Sequence, residues 1–187
     1  MLAALCMQAR NREVHMRLIA TSDIHGNYLP FDYISRQPGR CGLSRVETYV
    51  KTQRKELGRE QVVVLDNGDI LQGQPTAYYY NFIDTTSTHF CAQALNYIGY
   101  DAATIGNHDI ETGHAVYDRW VGECNFPMLG ANVVSTSTGR PYWKPYTIIE
   151  RNGIRIGVLG MITPSIPKWL PNNLWSGLRF DDLVETA

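Results

Sequence analysis

Thr21-Ser22-Asp23-Ile24-His25-Gly26-Asn27 is the most informative part of this sequence, because it places a carboxylate and an imidazole just after the apolar run Leu18 to Ala20. Two later segments have the same construction: Gly68-Asp69 after Val62 to Leu65, and Gly106-Asn107-His108-Asp109 after Ala102 to Ile105. In open α/β sheets, ligands bind beyond the carboxyl ends of the strands, where the loops converge. The three segments therefore predict one polar site at one edge of a sheet.

The pattern around these runs is that of an α/β domain. From Arg17 onward, apolar strand-like runs alternate with helix-like segments, which is typical of a sheet whose strands are buried on both faces. Three helices are predicted: from Ser44, which has capping-box spacing to Glu47, to Leu57 before Gly58; from about Ser87 to Tyr97 before Gly99; and from Ala115 to Glu123.

A β-hairpin is predicted near the end of the chain. Tyr146 to Glu150 and Ile154 to Leu159 are strand-like, and they flank Asn152-Gly153, a residue pair that favours a type I′ turn. The stretch from Pro164 to Pro171 is rich in turn-forming residues and is interpreted as a loop over the sheet.

Length and composition indicate one globular domain. The 187 residues, 44% of them hydrophobic, are enough for a sizeable core. The 17 basic and 18 acidic residues give a formal net charge of −1, which provides no electrostatic footprint for duplex nucleic acid. No apolar run has the length of a membrane span, and the apolar start is too short for a complete signal sequence. Residues 1–16 are interpreted as a tail or clipped leader and residues 17–187 as the domain.

The residue types after the three apolar runs are those that bind divalent cations. Asp23 and His25 are one residue apart, so in an extended loop both side chains can reach one cation. Asp69 carries two carboxylate oxygens, enough to bridge two cations. Asn107 offers an amide oxygen, which adds no negative charge that would repel a phosphate. These four residues are the candidate metal ligands.

His108 is the candidate catalytic residue. It follows Asn107 and can reach the same cavity, where it suits proton donation to a leaving alkoxide or electrostatic stabilisation of it. Glycine next to the ligands lets the backbone adopt φ > 0 or approach a ligand closely. The glycines in question are Gly26, Gly68, Gly73 and Gly106.

Other aromatic residues have weaker signals. His15, His89 and His114 have no ligand-type partner at short spacing, so surface or helix-packing roles are expected for them. The run Tyr78-Tyr79-Tyr80 is compatible with stacking on a base or with packing at the edge of the core.

The three loop segments resemble the calcineurin-like metallophosphoesterases, and within them the 5′-nucleotidase superfamily. The strings from Thr21 to Asn27 with Phe31-Asp32-Tyr33, and from Asp66 to Pro75, are similar to the bacterial 2′,3′-cyclic-nucleotide 2′-phosphodiesterase/3′-nucleotidase branch. The resemblance covers nearly everything from Arg17 to Ala187. It implies an α/β fold of the αββα sandwich type, of which this chain is the N-terminal half, with a mixed sheet.

The resemblance also implies residue roles: Asp23 and His25 bind a first metal, Asp69 bridges, Asn107 binds a second metal and His108 acts at the leaving group. Two divalent cations (Mn, Zn, Fe or Co) would lower the pKa of a bridging water, which attacks phosphorus in line. The implied substrate is a small-molecule nucleotide, a 2′,3′-cyclic nucleotide or a 3′-nucleotide. The implied location is the periplasm or the cell surface.

Two departures from the family pattern bear on activity. The superfamily usually reads Gly-Asn-His-Glu with Phe next and Asp or Asn after it, whereas this chain has Asp109, Ile110 and Glu111, so the pairing of Glu111 with His108 is an open question. The family also completes its metal site with a later histidine and a Gly-His-x-His motif, and it adds a domain that holds the base. The chain is therefore interpreted as a partial catalytic domain, weakly active or inactive alone.

Alternative functions share parts of this pattern. A 5′-nucleotidase or a sugar-nucleotide hydrolase would use the same ligands, and a relative acting on sulfur compounds is a further alternative. From a different class, the chain is a non-catalytic truncated module. A dinucleotide-binding Rossmann domain is excluded because no G-x-G-x-x-G follows the first strand, and a thioredoxin-like redox site because the four cysteines form no C-x-x-C pair.

Overall fold

The structure, a computed structural model, describes residues 13–33 and 35–187. Its strands are β1 (Arg17–Thr21), β2 (Phe31–Asp32), β3 (Gln37–Pro38), β4 (Val62–Asp66), β5 (Ala102–Thr104), β6 (Met128–Leu129), β7 (Val133–Ser135), β8 (Tyr146–Arg151), β9 (Ile154–Leu159) and β10 (Leu178–Phe180). Its α-helices are α1 (Leu43–Leu57), α2 (Pro75–Tyr78), α3 (Phe90–Ile98), α4 (Asn107–Ile110), α5 (His114–Glu123), α6 (Ile166–Trp169) and α7 (Leu183–Thr186). The tail or leader predicted for residues 1–16 lies largely outside the described residues and stays a prediction.

The centre of the fold is a four-stranded parallel sheet in the order β1-β4-β5-β6. Arg17 lies opposite Val62, and Thr21 lies opposite Asp66. Strand β4 is central and its three valines are buried, as a strand covered on both faces requires. Helices α1, α3 and α5 lie in the connections between successive strands, so every strand of this sheet ends at the same edge.

The α/β class predicted from the sequence is confirmed, with one difference in the sheet. Within the described residues the antiparallel pairs β2-β3, β7-β10 and β8-β9 form separate two-stranded sheets, and the four-stranded sheet is parallel throughout rather than mixed. Just before the β8-β9 hairpin, Lys144 forms an isolated bridge with Leu129 of β6, the last strand of the parallel sheet. This single bridge takes the place of a continuous strand pairing.

Helix α1 starts differently from the prediction. It begins at Leu43, and the expected capping box of Ser44 with Glu47 is not formed. The N–H groups of Leu43 and Ser44 instead donate to the carbonyl oxygens of Asn27 and Tyr28, at 2.8 and 2.9 Å. The capping-box prediction was wrong because residues distant in sequence satisfy these N–H groups. The same bonds attach α1 to the loop after β1.

Glycine ends two helices where the sequence predicted it. Gly58 follows α1 with φ 88°, and Gly99 follows α3 with φ 76° and ψ 59°. The N–H group of Gly99 donates to Leu95 O at 2.9 Å, which closes the last turn of α3. Both dihedral angles lie in the region that glycine adopts without strain.

Helix α3 begins at Phe90, three residues after the predicted start at Ser87. His89 is its N-cap, because Nδ1 of His89 accepts a hydrogen bond from the Cys91 N–H at 3.1 Å. Histidine is not among the residues that the capping rules favour, so this boundary was missed. Helix α5 begins at His114, one residue before its predicted start.

The C-terminal region confirms one prediction and corrects another. Strands β8 and β9 form the expected hairpin, with Asn152 at φ 51° and Gly153 at φ 75°, as a type I′ turn requires. The stretch from Pro164 to Pro171, predicted as a loop, contains the short helix α6, and β10 and α7 follow it. Ile166 in α6 is buried, as are Leu178 and Phe180 in β10, so these apolar side chains extend the core.

Two sequence expectations concern the rest of the chain. In the described part of the chain, no helix has both the length and the apolar character that crossing a bilayer requires. Cys41, Cys91 and Cys124 are free thiols, with Cys91 buried and Cys41 exposed, while Cys6 lies outside the described residues.

Candidate metal centre

The three predicted loops meet at the carboxyl edge of the parallel sheet. Asp23 and His25 lie in the loop after β1, Asp69 lies in the loop after β4, and Asn107 and His108 begin α4 after β5. Since these strands are neighbours in the order β1-β4-β5, residues far apart in sequence become adjacent.

Backbone hydrogen bonds continue from strands β1 and β4 into the loops that follow them. The N–H groups of Asp23, His25 and Gly26 donate to the carbonyl oxygens of Gly68, Asp69 and Ile70, at 3.1, 2.9 and 3.0 Å. The two loops are therefore held in register past the last ladder pair, Thr21 with Asp66.

Three of the four candidate ligands have a left-handed backbone. The φ angles are 54° for Asp23, 48° for His25 and 60° for Asp69. Such conformations are uncommon outside glycine and cost on the order of 1–3 kcal/mol each. Residues held this way persist only where the surrounding bonds fix them, and here they cluster at the sheet edge.

Glycine permits the close approach of the loops after β4 and β5. A Cβ on Gly106 would overlap the Asp69 side chain and backbone, and a Cβ on Gly68 would overlap the backbone of Gly106. Gly73, at φ 123°, leaves only 2.5 Å between such a Cβ and the carbonyl oxygen of His25. The role predicted for these three glycines is confirmed.

Asp109 organises the site, although the sequence did not assign it a role. It is fully buried, and its carboxylate accepts four backbone N–H bonds. Gly106 and Asp69 donate to Oδ2 at 2.8 and 2.9 Å, and Ile70 and Leu71 donate to Oδ1 at 2.9 Å each. Burial raises the pKa of Asp109, while these N–H donors oppose the rise. The capping-box spacing of Asp109 to Gly106 was the available signal.

His25, Asp69 and His108 form a donor cluster. One ligand atom from each residue can be chosen so that all lie within 4.8 Å of one another, and all three side chains are half-buried. The His25 and His108 rings meet edge to face with centroids 5.1 Å apart. Oδ1 of Asp23 lies 3.7 Å from Nε2 of His25. The imidazole of His25 with the carboxylates of Asp69 and Asp23 suits a divalent transition metal, so the residues present fit such an ion. Asn107 directly precedes His108 at the start of α4, next to this cluster.

Gln72 orients the His25 ring. Nδ1 of His25 lies 2.9 Å from Oε1 of Gln72, an oxygen that can only accept, so Nδ1 carries the proton and donates. Nε2 is the ring nitrogen that faces Asp23, with Oδ1 of Asp23 3.7 Å away. Reasoning from the sequence missed Gln72, which lies three residues after Asp69 in a string that the sequence had already singled out.

His108 is paired with Glu111, which answers the question left open by the sequence. Oε2 of Glu111 lies 3.0 Å from Nδ1 of His108. The Glu111 carboxylate beside Nδ1 is the main reason that the pKa of His108 is raised, so the ring holds a proton more readily than a free histidine. The backbone N–H of His108 donates to Oδ1 of Asp69 at 2.7 Å, which fixes the position of the Asp69 carboxylate.

The other aromatic residues lie elsewhere. His15 is exposed, whereas His114 is half-buried, lies 3.0 Å from Asp118 and packs against Tyr117, so these two have the surface and helix-packing roles expected. His89 is fully buried against helix α3, the expected packing role. Tyr78 and Tyr79 are 59% and 47% exposed, so these two do not pack at the edge of the core.

Comparisons with known proteins identify the family that this chain resembles. The family model described as calcineurin-like phosphoesterase matches residues 16–177. The trifunctional nucleotide phosphoesterase protein YfkN of Bacillus subtilis is 32% identical over 191 residues, which cover 94% of this chain and 13% of that protein. The 2′,3′-cyclic-nucleotide 2′-phosphodiesterase/3′-nucleotidase of Yersinia enterocolitica is 30% identical over 199 residues, 100% of this chain and 30% of that protein.

Solved structures share the fold. The crystal structure of calcineurin-like phosphoesterase YfkN from Bacillus subtilis superposes with a TM-score of 0.79 at 33% identity, over 93% of this chain and 56% of that one. A putative 5′-nucleotidase from Staphylococcus aureus superposes with a TM-score of 0.81 at 26% identity, over 90% and 32%. The chain thus spans less than a third of the length of the two curated relatives above.

Proposed function

The chain belongs to the calcineurin-like phosphoesterase family, and we propose that it forms the N-terminal part of a catalytic domain that hydrolyses phosphoester bonds in nucleotides with two divalent cations. The observation that carries the proposal is the donor cluster of His25, Asp69 and His108 at the carboxyl edge of the sheet. The names of the relatives support nucleotides as the substrate class.

Each donor has a role in this proposal. Asp23 and His25 would hold one cation, Asn107 would hold the other, and Asp69, whose Oδ1 accepts from the backbone N–H of His108, would contact both. The cations, when bound, would supply charge neutralisation for the phosphoryl oxygens and activation of the attacking water. His108, whose Nδ1 lies 3.0 Å from Oε2 of Glu111, would donate a proton to the departing ribose oxygen.

The proposed substrates are 2′,3′-cyclic nucleotides and 3′-nucleotides, and the proposed location is the periplasm or the cell surface. The likeness to a 2′,3′-cyclic-nucleotide 2′-phosphodiesterase/3′-nucleotidase supports the choice of substrates. A 5′-nucleotidase is the second candidate, because the fold also superposes on a putative 5′-nucleotidase.

The test uses the protein with any further segments that its natural reading frame encodes. Phosphate release or ring opening is measured with 2′,3′-cyclic AMP, 3′-AMP and 5′-AMP in the presence of Mn²⁺. We expect turnover of the first two, and loss of at least about a hundredfold in kcat/KM in Asp69→Asn, because the proposed bridging charge is gone. Asp181→Asn, at a surface pair with Arg179, is the matched control.

The outcomes separate the candidates. Preferential turnover of 5′-AMP would favour the 5′-nucleotidase. Metal binding by titration calorimetry, without turnover of any nucleotide, would favour a non-catalytic module. Equal activity of Asp69→Asn and Asp181→Asn would refute the site assignment.

A further inference from the structure

Asp66 is a buried carboxylate that the proposed reaction does not use. It is the last residue of β4, it is 2% exposed, and it precedes Asp69 in the same stretch of chain. Burying a carboxylate is unfavourable unless hydrogen bonds or opposite charges compensate, so a buried aspartate needs a structural reason. The hydrogen bonds of its two oxygens supply that reason.

The two oxygens of Asp66 bond to the ends of two neighbouring strands. Oδ1 accepts from the N–H group of Gly68, in the loop after β4, at 2.9 Å. Oδ2 accepts from the hydroxyl of Thr21 at 2.5 Å. Thr21 is the last residue of β1 and lies opposite Asp66 in the strand pairing. One side chain therefore joins the end of β1 to the start of the loop after β4.

Tyr100 extends this contact into the core. Its hydroxyl lies 2.9 Å from Oγ1 of Thr21. An ionised Asp66 can only accept, so Thr21 gives its one hydroxyl proton to Asp66 and receives a hydrogen bond from Tyr100. Tyr100 is 4% exposed and its ring belongs to the hydrophobic core, which fixes the direction of this bond. The order of donation is from Tyr100 to Thr21 to Asp66.

The donors favour the ionised form of Asp66. Burial raises the pKa of Asp66 to about 7, and the bonds from Thr21 and Gly68 oppose the rise. A carboxylate is a stronger acceptor than a neutral carboxyl group. The bond that holds Gly68 therefore depends on the hydroxyl of Thr21.

Gly68 transmits the contact to Asp23. The carbonyl oxygen of Gly68 accepts the hydrogen bond from the Asp23 N–H at 3.1 Å. The N–H group of Asn67 donates to the carbonyl oxygen of Thr21 at 2.8 Å, which adds a second link between the two strand ends. Gly68 has φ 88° and lies against the backbone of Gly106. A displacement of Gly68 would therefore move the backbone of Asp23.

We propose that the side chains of Asp66, Thr21 and Tyr100 form a positioning network for the metal centre. The network holds the backbone of Asp23 where the Asp23 carboxylate can bind a cation, and it acts through Gly68 without binding the cation itself. The inference rests on the proposed function, because it takes Asp23 as a ligand. It adds three residues that control the geometry of the site from inside the fold.

The experiment measures Mn²⁺ binding by titration calorimetry, in the protein with any further segments that its natural reading frame encodes. Thr21→Val removes the hydroxyl and keeps the branched shape, which suits a strand. Thr21→Ser keeps the hydroxyl and loses the methyl group. Thr147→Val is the matched control, because Thr147 is also half-buried in a strand and lies in the separate β8-β9 hairpin.

We expect the Kd for Mn²⁺ to rise at least about fivefold in Thr21→Val. This is somewhat below the loss of about 10- to 100-fold that follows removal of a direct partner of a ligand, because the effect passes through a further hydrogen bond. Thr21→Ser and Thr147→Val should bind Mn²⁺ as the wild type does. A role in strand packing alone predicts a larger effect for Thr21→Ser, since serine loses apolar contact and strand preference that valine keeps. That order, or wild-type affinity in Thr21→Val, would overturn the proposal.

A double-mutant cycle tests the place of Tyr100 in the network. Tyr100→Phe removes the donor to Thr21 and keeps the ring in the core, so it should weaken Mn²⁺ binding less than Thr21→Val does. It should have no further effect on Mn²⁺ binding in the Thr21→Val background, because Tyr100 acts through the Thr21 hydroxyl. Additive effects of the two substitutions would contradict the proposed order of donation.

Nucleotide hydrolysis by the same variants separates this proposal from the proposed function. If no nucleotide is hydrolysed and Mn²⁺ affinity follows the Thr21 hydroxyl, the proposed function fails and the positioning network stands. If nucleotides are hydrolysed and Thr21→Val binds Mn²⁺ as the wild type does, the positioning network fails alone.

Discussion

The N–H group of Asp69 donates a hydrogen bond to Oδ2 of Asp109, 2.9 Å away, so a fully buried carboxylate holds the residue proposed to bridge two cations. The same oxygen accepts from Gly106, and the other oxygen accepts from Ile70 and Leu71. One side chain thus fixes the loop after β4 against the loop after β5.

Asp109→Asn should lower the free energy of unfolding by about 2–6 kcal/mol. The amide offers one acceptor oxygen instead of two, so two buried N–H groups lose their partners at about 1–3 kcal/mol each. Urea denaturation measures the change. Asp181→Asn, at an exposed pair with Arg179, should change stability by less than about 1 kcal/mol. If the two variants are equally stable, Asp109 does not hold the loops.

Gly106→Ala should destabilise the protein and weaken Mn²⁺ binding, because the added Cβ overlaps Asp69. The φ of Gly106 is −93°, so the expected effect comes from close approach and not from backbone strain. Gly122→Ala is the control: this glycine lies within helix α5 with no atom near its Cβ position, and alanine there should stabilise by about 0.5–1 kcal/mol. Thermal unfolding with and without Mn²⁺ distinguishes the two variants, and stabilisation of both would contradict the close contact.

Gln72→Leu should reduce Mn²⁺ affinity by about 10- to 100-fold, the usual effect of losing a hydrogen bond that orients a ligating histidine. Stability should change little, because Gln72 is exposed. Titration calorimetry measures the affinity. Gln93→Leu, at another exposed glutamine, serves as the control. Unchanged affinity in Gln72→Leu would show that the His25 ring is oriented without it.

His89 should make stability depend on pH. Burial, with a further contribution from Arg119, lowers the pKa of His89 to about 4 from the ordinary 6.5. Between pH 6.5 and pH 4 the unfolded chain binds a proton that the folded chain excludes, so this contribution to stability is lost as pH falls. The loss amounts to about 3 kcal/mol between pH 7 and pH 4.

The measurement is a difference between the wild type and His89→Gln. Burial also raises the pKa of Asp66 to about 7, which acts with the opposite sign in the same pH window and is present in both proteins. The free energy of unfolding of the wild type minus that of His89→Gln should fall by about 3 kcal/mol from pH 7 to pH 4. A difference that stays flat between pH 7 and pH 4 would contradict a neutral buried His89 ring.

The sequence was informative where structure depends on neighbouring residues. Asp23 and His25 follow a strand directly, and Asn152-Gly153 sets its own turn, so both were predicted correctly in position. It was uninformative where the partner is distant. Asp109 bonds residues about 40 positions away, and the start of α1 is satisfied by Asn27 and Tyr28. Capping rules consider only residues that are near in sequence, so they cannot predict such partners.

The roles of the metal ligands stay predictions, because fold and family leave open which donor serves which cation. His108 illustrates this, since its ring lies within the donor cluster and is also paired with Glu111. The positions of these residues could be predicted from the strand ends. Their roles depend on atoms that come together only in the folded site.

The hydrogen bonds between the Asp23 and Asp69 loops continue the parallel ladder of β1 and β4 beyond the strands. The loops therefore belong to the same cooperative unit as the sheet, and they cannot open without breaking the pairing that follows Thr21 and Asp66. Their amides should exchange with solvent almost as slowly as those of the central strand, although they lie at the protein surface. A cation that binds there therefore does not have to order the loops, because folding of the sheet has already lowered their conformational entropy.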